Sequence, residues 1–101
     1  MKALILIAAF AFPASAPAGT AKENCAALAN LAHTIMQAHQ GGTPFANIAS
    51  IIDQQFPDPT LNDAMMAIAL QAYAAPRYTT EGAKERAAAD FRDRIHVWCL
   101  A

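Results

Sequence analysis

Apolar residues recur every three or four positions through most of the chain after residue 20, which is the spacing of an amphipathic helix. Four stretches carry this pattern, and each begins at a helix-starting residue or follows a helix-breaking one. No stretch alternates apolar and polar positions for long enough to indicate a β-strand. The pattern predicts an all-α protein with four helices.

The first and fourth predicted helices have clear starting signals. Thr20 and Glu23 have the spacing of a capping box, and Gly41 with Gly42 ends the first helix. Thr79-Thr80-Glu81 predicts the start of the fourth helix. The residues expected on the packed faces are Cys25, Leu28, Ala32, Ile35, Met36 and His39 in the first helix, and Ala88, Phe91, Ile95, Trp98 and Cys99 in the fourth.

Proline-containing breaks bound the second and third predicted helices. Thr43-Pro44 predicts a cap followed by the first helical residue, and Pro57-Asp58-Pro59 ends that second helix. A further capping box, Thr60 with Asp63, opens a third helix that runs through Tyr73. The packed face expected for the second helix is Phe45, Ile48, Ala49, Ile52 and Phe56.

The first 18 residues have the organisation of a cleavable signal peptide. A charged start at Lys2 precedes the apolar run Ala3 to Phe12, which is too short to span a bilayer, and small residues follow. Ala16 and Ala18 favour cleavage before Gly19, with an uncleaved short anchor as the alternative. Residues 19–101 then form a single helical domain in the periplasm or outside the cell.

Cys25 and Cys99 lie close to the two ends of the predicted domain. An even cysteine count in an exported chain predicts a disulfide, with two reduced structural thiols as the alternative. Short connections between four helices favour an up-down bundle, which brings the start of the first helix beside the end of the last. The helical pattern and the cysteine positions therefore agree on a small four-helix bundle joined by one disulfide.

Composition argues against an enzyme and against nucleic acid as a partner. The chain has a net charge of -1 and only 15% charged residues, so it offers no basic surface for nucleic acid or for a membrane. We expect no cofactor and no metal, because none of the candidate side chains has catalytic or metal-ligand spacing. The candidates considered are Ser50, His33, His39, the pair Asp93 and His96, and Asp90 among neighbouring arginines.

Charge is distributed unevenly, and one turn stands out. Only three charged residues occur between positions 24 and 76, so self-association through an uncharged surface is one interpretation.

Tyr73, Arg77 and Tyr78 surround the helix-ending Pro76 and are residue types that dominate protein interfaces. We predict that these three contact a partner protein. In the alternative, the rings pack internally and Arg77 neutralises helix-end carbonyls or pairs with Glu81.

Three segments carry a family resemblance. They are the run 72–81, the later Ala89-Asp90-Phe91 with the closing Cys99-Leu100, and the opening Cys25-Ala26-Ala27-Leu28-Ala29 with Ile35-Met36 and Gly41. Together they resemble a family of small exported two-cysteine helical proteins from proteobacteria and their phages. The resemblance implies export and a two-cysteine helical layout, and it implies no activity.

Two functions of different classes follow from these expectations. The first is a non-enzymatic interaction module that acts on a periplasmic or envelope protein through the turn around Pro76. The alternative is a periplasmic stress protein, a holdase-type chaperone that exposes apolar surface when its carboxylates and histidines are protonated. A single saturable partner at neutral pH would indicate the first function.

Overall fold

The structure is a computed structural model that describes residues 20–101, and the regular elements in that range are α-helices. They are α1 (Ala21–Gln40), α2 (Phe45–Gln55), α3 (Pro59–Tyr73) and α4 (Glu81–Leu100). The predicted all-α fold with four helices is confirmed. The predicted signal peptide, residues 1–18, lies outside the described residues.

The predicted starts of α1 and α4 are confirmed atom by atom. The Glu23 N–H donates to the Thr20 hydroxyl at 3.0 Å, and the Thr20 N–H donates to the Glu23 carboxylate at 3.2 Å. This reciprocal pair satisfies two N–H groups that the first helical turn leaves open. At α4, the Thr80 hydroxyl accepts from the Ala83 N–H at 3.2 Å.

The predicted starts of α2 and α3 are wrong by one or two residues. Thr43 does not cap α2, and its N–H donates to Ala38 O at 2.9 Å, which ties it to the end of α1. Pro44 stands in the cap position with an extended backbone and no side-chain cap bond. At α3 the cap is the Asp58 carboxylate, which accepts from the Leu61 N–H at 3.0 Å and places Pro59 in the first turn, where its fixed φ fits.

α4 runs antiparallel to α1 along most of its length. Cys25, near the start of α1, forms a disulfide pair with Cys99, near the end of α4, with a Cα–Cα distance of 5.5 Å. At the opposite ends of the same helices, Lys84 of α4 reaches the main chain of Gln40. α1 also packs on α3, and α3 on α2, so α1 lies between α4 and α3 in the bundle.

Small residues allow α1 and α4 to approach closely. Ala32 of α1 and Ala88 of α4 are both completely buried, as is Phe91 of α4. Interaxial distance follows the size of the side chains at a helix contact, so alanines bring the two backbones together. The other buried residues of this core cluster are Ile35, Met36, Ile48, Ile52, Met65, Ile68, Ala69, Ala72 and Ile95.

Trp98 is the one residue of the predicted α4 stripe that the structure places in solvent. Its side chain is 61% exposed, and Val97 and Leu100 beside it are exposed as well. α4 has α1 as its principal neighbour, so a side chain that points away from α1 has no second helix to cover it. The predicted burial of Trp98 was therefore wrong.

No helix within residues 20–101 combines the length and the hydrophobicity needed to cross a membrane.

Candidate functional site

One end of the bundle is built from polar contacts, and we call it the Gln40 end. It comprises the last turn of α1, the α1–α2 loop 41–44, the last residue of α3 (Tyr73), the α3–α4 loop 74–80 and Lys84. The opposite end, around Cys25 and Cys99, is called the disulfide end. The predicted partner-contacting residues all lie at the Gln40 end.

Gln40 is the buried centre of this end. Its side chain is only 2% exposed, and its amide bonds to the α3–α4 loop on both sides of Arg77. Nε2 donates to Pro76 O at 2.9 Å, and Oε1 accepts from the Tyr78 N–H at 2.8 Å. One side chain thus satisfies two backbone groups of a non-helical segment, each of which would cost free energy if left unpaired in the interior.

The last carbonyl of α1 is also occupied. Lys84 Nζ, on the first turn of α4, donates to Gln40 O at 2.8 Å. A cation at a helix C-terminus meets both an open carbonyl and the negative end of the helix dipole. Gln40 therefore connects α1 to α4 through its main chain and to the loop before α4 through its side chain.

His39 holds the same loop one residue earlier. Its Nε2 lies 2.6 Å from Ala75 O, and its side chain is buried. Because a carbonyl oxygen can only accept, Nε2 must carry the proton in this hydrogen bond. His39 thus continues the packed face of α1 as predicted, and it also fixes the start of the α3–α4 loop.

Tyr73 joins the end of α3 to the α1–α2 loop. Its hydroxyl donates to Thr43 O at 2.6 Å, and its ring centroid lies 4.4 Å from that of His39 and 5.4 Å from that of Phe45. Burial raises the pKa of Tyr73 above the usual value of 10.0, since a phenolate would lose hydration there. Tyr73 was predicted to contact a partner, but its hydroxyl and ring are already engaged inside the protein.

Arg77 has a different environment from Tyr73. Its side chain is exposed, and within the part of the chain that the structure describes it makes no hydrogen bond and no ion pair. The predicted alternative, pairing with Glu81 or with helix-end carbonyls, is not what the structure shows. The five N–H donors of the guanidinium are left to solvent.

The Arg77 guanidinium lies close to Gly42. A Cβ built on Gly42 would lie 3.1 Å from Arg77 Nη2, so the guanidinium rests against the glycine backbone. Gly42 also has φ of 93°, a left-handed conformation that a residue with a side chain rarely adopts. The turn after α1 therefore favours glycine at this position.

Tyr78 combines a fixed backbone with an exposed ring. Gln40 holds its N–H, while its side chain is 42% exposed. Arg77 and Tyr78 are therefore adjacent and exposed to solvent, and the buried Gln40 side-chain amide holds the backbone at Pro76 and Tyr78. We call this pair of side chains with their backbone the Arg77 surface.

A shallow cleft of about 230 Å³ lies at the Gln40 end, between the end of α1 and the start of α4. Gln37 and Glu85 line it together with Lys84, whose ammonium group is already bonded to Gln40 O. The described residues contain no group of three or more metal-ligating side chains. Ser50 is exposed on α2, and Asp93 pairs with its neighbour Arg92 at 3.1 Å in solvent.

The importance of Gln40 was missed in the sequence. A polar residue directly before two glycines is ordinarily a solvated helix end, and nothing in the local pattern separates Gln40 from Gln37. The available signal was its position one residue after His39 on the packed stripe, together with a later proline loop rich in unpaired backbone groups.

Comparison with protein-family models, curated proteins and solved structures finds no match to this chain.

Proposed function

We propose that this chain is an exported, non-enzymatic interaction module that binds a periplasmic or envelope protein through the Arg77 surface. The observation that carries the proposal is an exposed, unpaired guanidinium on a loop whose backbone a buried glutamine holds in place. A side chain that stabilised the fold would use its donors within the chain, and Arg77 uses none of them within residues 20–101. Arginine and tyrosine at a rigid site are typical of interface hot spots.

Preorganisation supports a binding role. Ordering a loop when a partner arrives costs conformational entropy, and that cost is avoided when the loop is already fixed. Here His39 and Gln40 fix the main chain at Ala75, Pro76 and Tyr78 before any partner is present.

The disulfide-distance cysteines support export. Disulfides persist in oxidising compartments and are rare in the cytosol, and the predicted signal peptide provides a route there. In a helical unit this small, a covalent link between the first and last helices compensates for a small core.

Arg77→Ala tests the binding role. We expect the free energy of unfolding to change by less than about 0.5 kcal/mol, because the exposed side chain makes no hydrogen bond or ion pair within residues 20–101. Capture of the partner from periplasmic extract should weaken by about 2 kcal/mol or more, as for a hot-spot residue. Thermal melting and a quantitative pull-down on the same preparation measure both quantities.

Arg86→Ala is the matched control, since Arg86 is also an exposed arginine but lies one turn into α4. It should leave capture unchanged. An Arg77→Ala protein that is stable and captures its partner as well as the wild type would refute the site.

The holdase alternative has one observation in its favour. Ile51, Leu61 and Leu70 are large apolar side chains about half exposed on α2 and α3, in the part of the chain that carries almost no charge. A holdase would suppress aggregation of an unrelated unfolded protein, and replacing these three residues with serine would abolish that protection. Suppression that survives Arg77→Ala but not these changes would favour the chaperone over the interaction module.

A further inference from the structure

The peptide groups on either side of Arg77 have a fixed direction. Gln40 holds Pro76 O and the Tyr78 N–H, and the described residues contain no cis peptide bond. In a trans peptide the C=O and the N–H point in opposite directions. The N–H and C=O of Arg77, which are the other halves of the same two peptide groups, therefore both point away from Gln40.

Those two groups of Arg77 are unused. Neither makes a hydrogen bond within residues 20–101, and the chain runs without a bend through residues 76–78. In an antiparallel strand pair, a residue whose N–H and C=O both point toward the neighbouring strand exchanges two hydrogen bonds with the residue opposite. Arg77 has its N–H and C=O arranged in this way, so it can pair as a single residue at the edge of a strand.

The extent of this edge is limited by its neighbours. Pro76 has no N–H, so pairing cannot continue on that side. The Thr79 N–H also has no partner within the described part of the chain, but the backbone bends at residues 79–80. A paired segment would therefore meet the protein over one or two residues centred on Arg77.

The positive charge of Arg77 favours an acidic residue at the facing position of the paired segment. Facing residues in an antiparallel pair place their side chains on the same side, with Cβ atoms about 5 Å apart. No carboxylate of the described chain is within ion-pair distance of the Arg77 guanidinium, which rests against Gly42 with its donors free. A carboxylate on the facing residue would complete a charge-assisted, two-pronged hydrogen bond.

We propose that the Arg77 surface binds an extended segment of its partner protein, with an aspartate or glutamate of that segment directly opposite Arg77. The inference rests on the proposed function, because it names the chemistry of the partner at the same site. Two backbone hydrogen bonds give the contact its direction, and the guanidinium–carboxylate pair gives it specificity for an acidic residue.

Short synthetic peptides with blocked ends test the inference on the full protein with its disulfide intact. The probe is acetyl-Thr-Val-Glu-Val-Thr-amide, and its matched control carries glutamine in place of glutamate. A third peptide carries an N-methyl group on the glutamate nitrogen, which removes the backbone donor and keeps the charge. Each is titrated into ¹⁵N-labelled protein to about 10 mM, where contacts of millimolar affinity are still measurable by amide shifts.

We expect the glutamate peptide to shift the amide signals of Arg77 and Thr79 and the side-chain Nε–H signal of Arg77. The glutamine and N-methyl peptides should each bind about tenfold more weakly, since each loses one hydrogen-bonding element of the pair. Arg77→Gln should remove the preference for glutamate, and Arg86→Gln should keep it. Sodium acetate at the same concentration supplies the carboxylate alone and should produce no shift at Thr79.

Three results would overturn the inference: no shift at Arg77 with any peptide, equal binding of the glutamate and N-methyl peptides, or acetate shifts equal to those of the peptide. If partner capture is lost in Arg77→Ala while the peptides fail in this way, the interaction module stands and only strand pairing is wrong. If capture is unaffected by Arg77→Ala, the proposed function itself fails.

Discussion

The two ends of the bundle hold the same pair of helices together by different means. At the disulfide end, one covalent link joins α1 to α4, and Val97, Trp98 and Leu100 around it remain exposed. At the Gln40 end, four side chains from α1, α3 and α4 make hydrogen bonds to main-chain atoms of other segments: His39, Gln40, Tyr73 and Lys84.

The difference follows from what the chain does at each end. At the disulfide end α1 begins and α4 ends, and a local capping box, Thr20 with Glu23, satisfies two N–H groups that the start of α1 leaves open. At the Gln40 end the chain leaves α1 and α3 in two adjacent loops, and their open backbone groups require partners. Side chains of neighbouring helices supply those partners, and the loop that they fix is the one that carries Arg77.

Removing the covalent link should have the largest effect of the changes considered. Cys25→Ser with Cys99→Ser should lower the free energy of unfolding by about 4 kcal/mol, because the cross-link restricts the unfolded chain across a separation of 74 residues. Chemical denaturation of the double variant and the wild type measures the difference. Val97→Thr, at an exposed neighbouring position, should change stability by less than about 0.5 kcal/mol and serves as the control. Equal stability of the double variant and the wild type would show that the disulfide end is held by packing alone.

Gln40→Leu tests the polar end. The substitution keeps a similar volume but leaves Pro76 O and the Tyr78 N–H without partners, which should cost about 3 kcal/mol. Gln37→Leu is the matched control one turn earlier, where the glutamine is exposed. The two variants are compared by denaturant midpoint, and by hydrogen exchange of the Tyr78 amide, which should accelerate only in Gln40→Leu. Similar losses in both variants would contradict the role given to Gln40.

Tyr73→Phe should have the smallest effect, about 1 kcal/mol at neutral pH, since it removes one hydrogen bond to Thr43 O. The effect should depend on alkaline pH. Burial raises the pKa of Tyr73, so the folded state favours the neutral phenol, while the unfolded residue ionises near 10.0. The stabilisation by the neutral phenol is fully present below pH 10.0 and is lost as the pH rises through the higher folded pKa.

Denaturation of wild type and Tyr73→Phe at neutral pH and at about pH 11 measures this change. The stability difference between them should shrink or reverse at the higher pH. Tyr78→Phe, which changes a tyrosine with an exposed ring, provides the comparison. A difference that is independent of pH would exclude Tyr73 as the responsible group.

The sequence was sufficient for elements that depend on local chemistry. The capping box at Thr20 and Glu23, the glycine stop at Gly41 and the proximity of Cys25 to Cys99 all follow from short-range signals or from topology. It was not sufficient where two local signals compete, as at Asp58 and Thr60, both of which are good helix caps. There the position of Pro59 decided the outcome.

The residues of the candidate site also differ in how far local sequence signals could predict them. Arg77 and Tyr78 could be predicted because interface residue types beside a proline are visible locally, although their role as a binding surface remains a prediction. Tyr73 was grouped with them, since nothing in the sequence shows that its hydroxyl meets Thr43 O from 30 residues away. Gln40 and Trp98 depend on which helices neighbour α1 and α4, and a helical stripe alone does not contain that information.

The position of α4 against α1 also has a consequence for the order of assembly. α1 has its most extensive contacts with the helix that is last in the chain, and its links to residues 75–84 and 99 all span at least 36 positions. Contacts between such distant segments form late, because much of the chain must be ordered before they can close. A chain that emerges from its N-terminus therefore presents α1 without its main partner until α4 has followed. The packing between these two helices is completed only then.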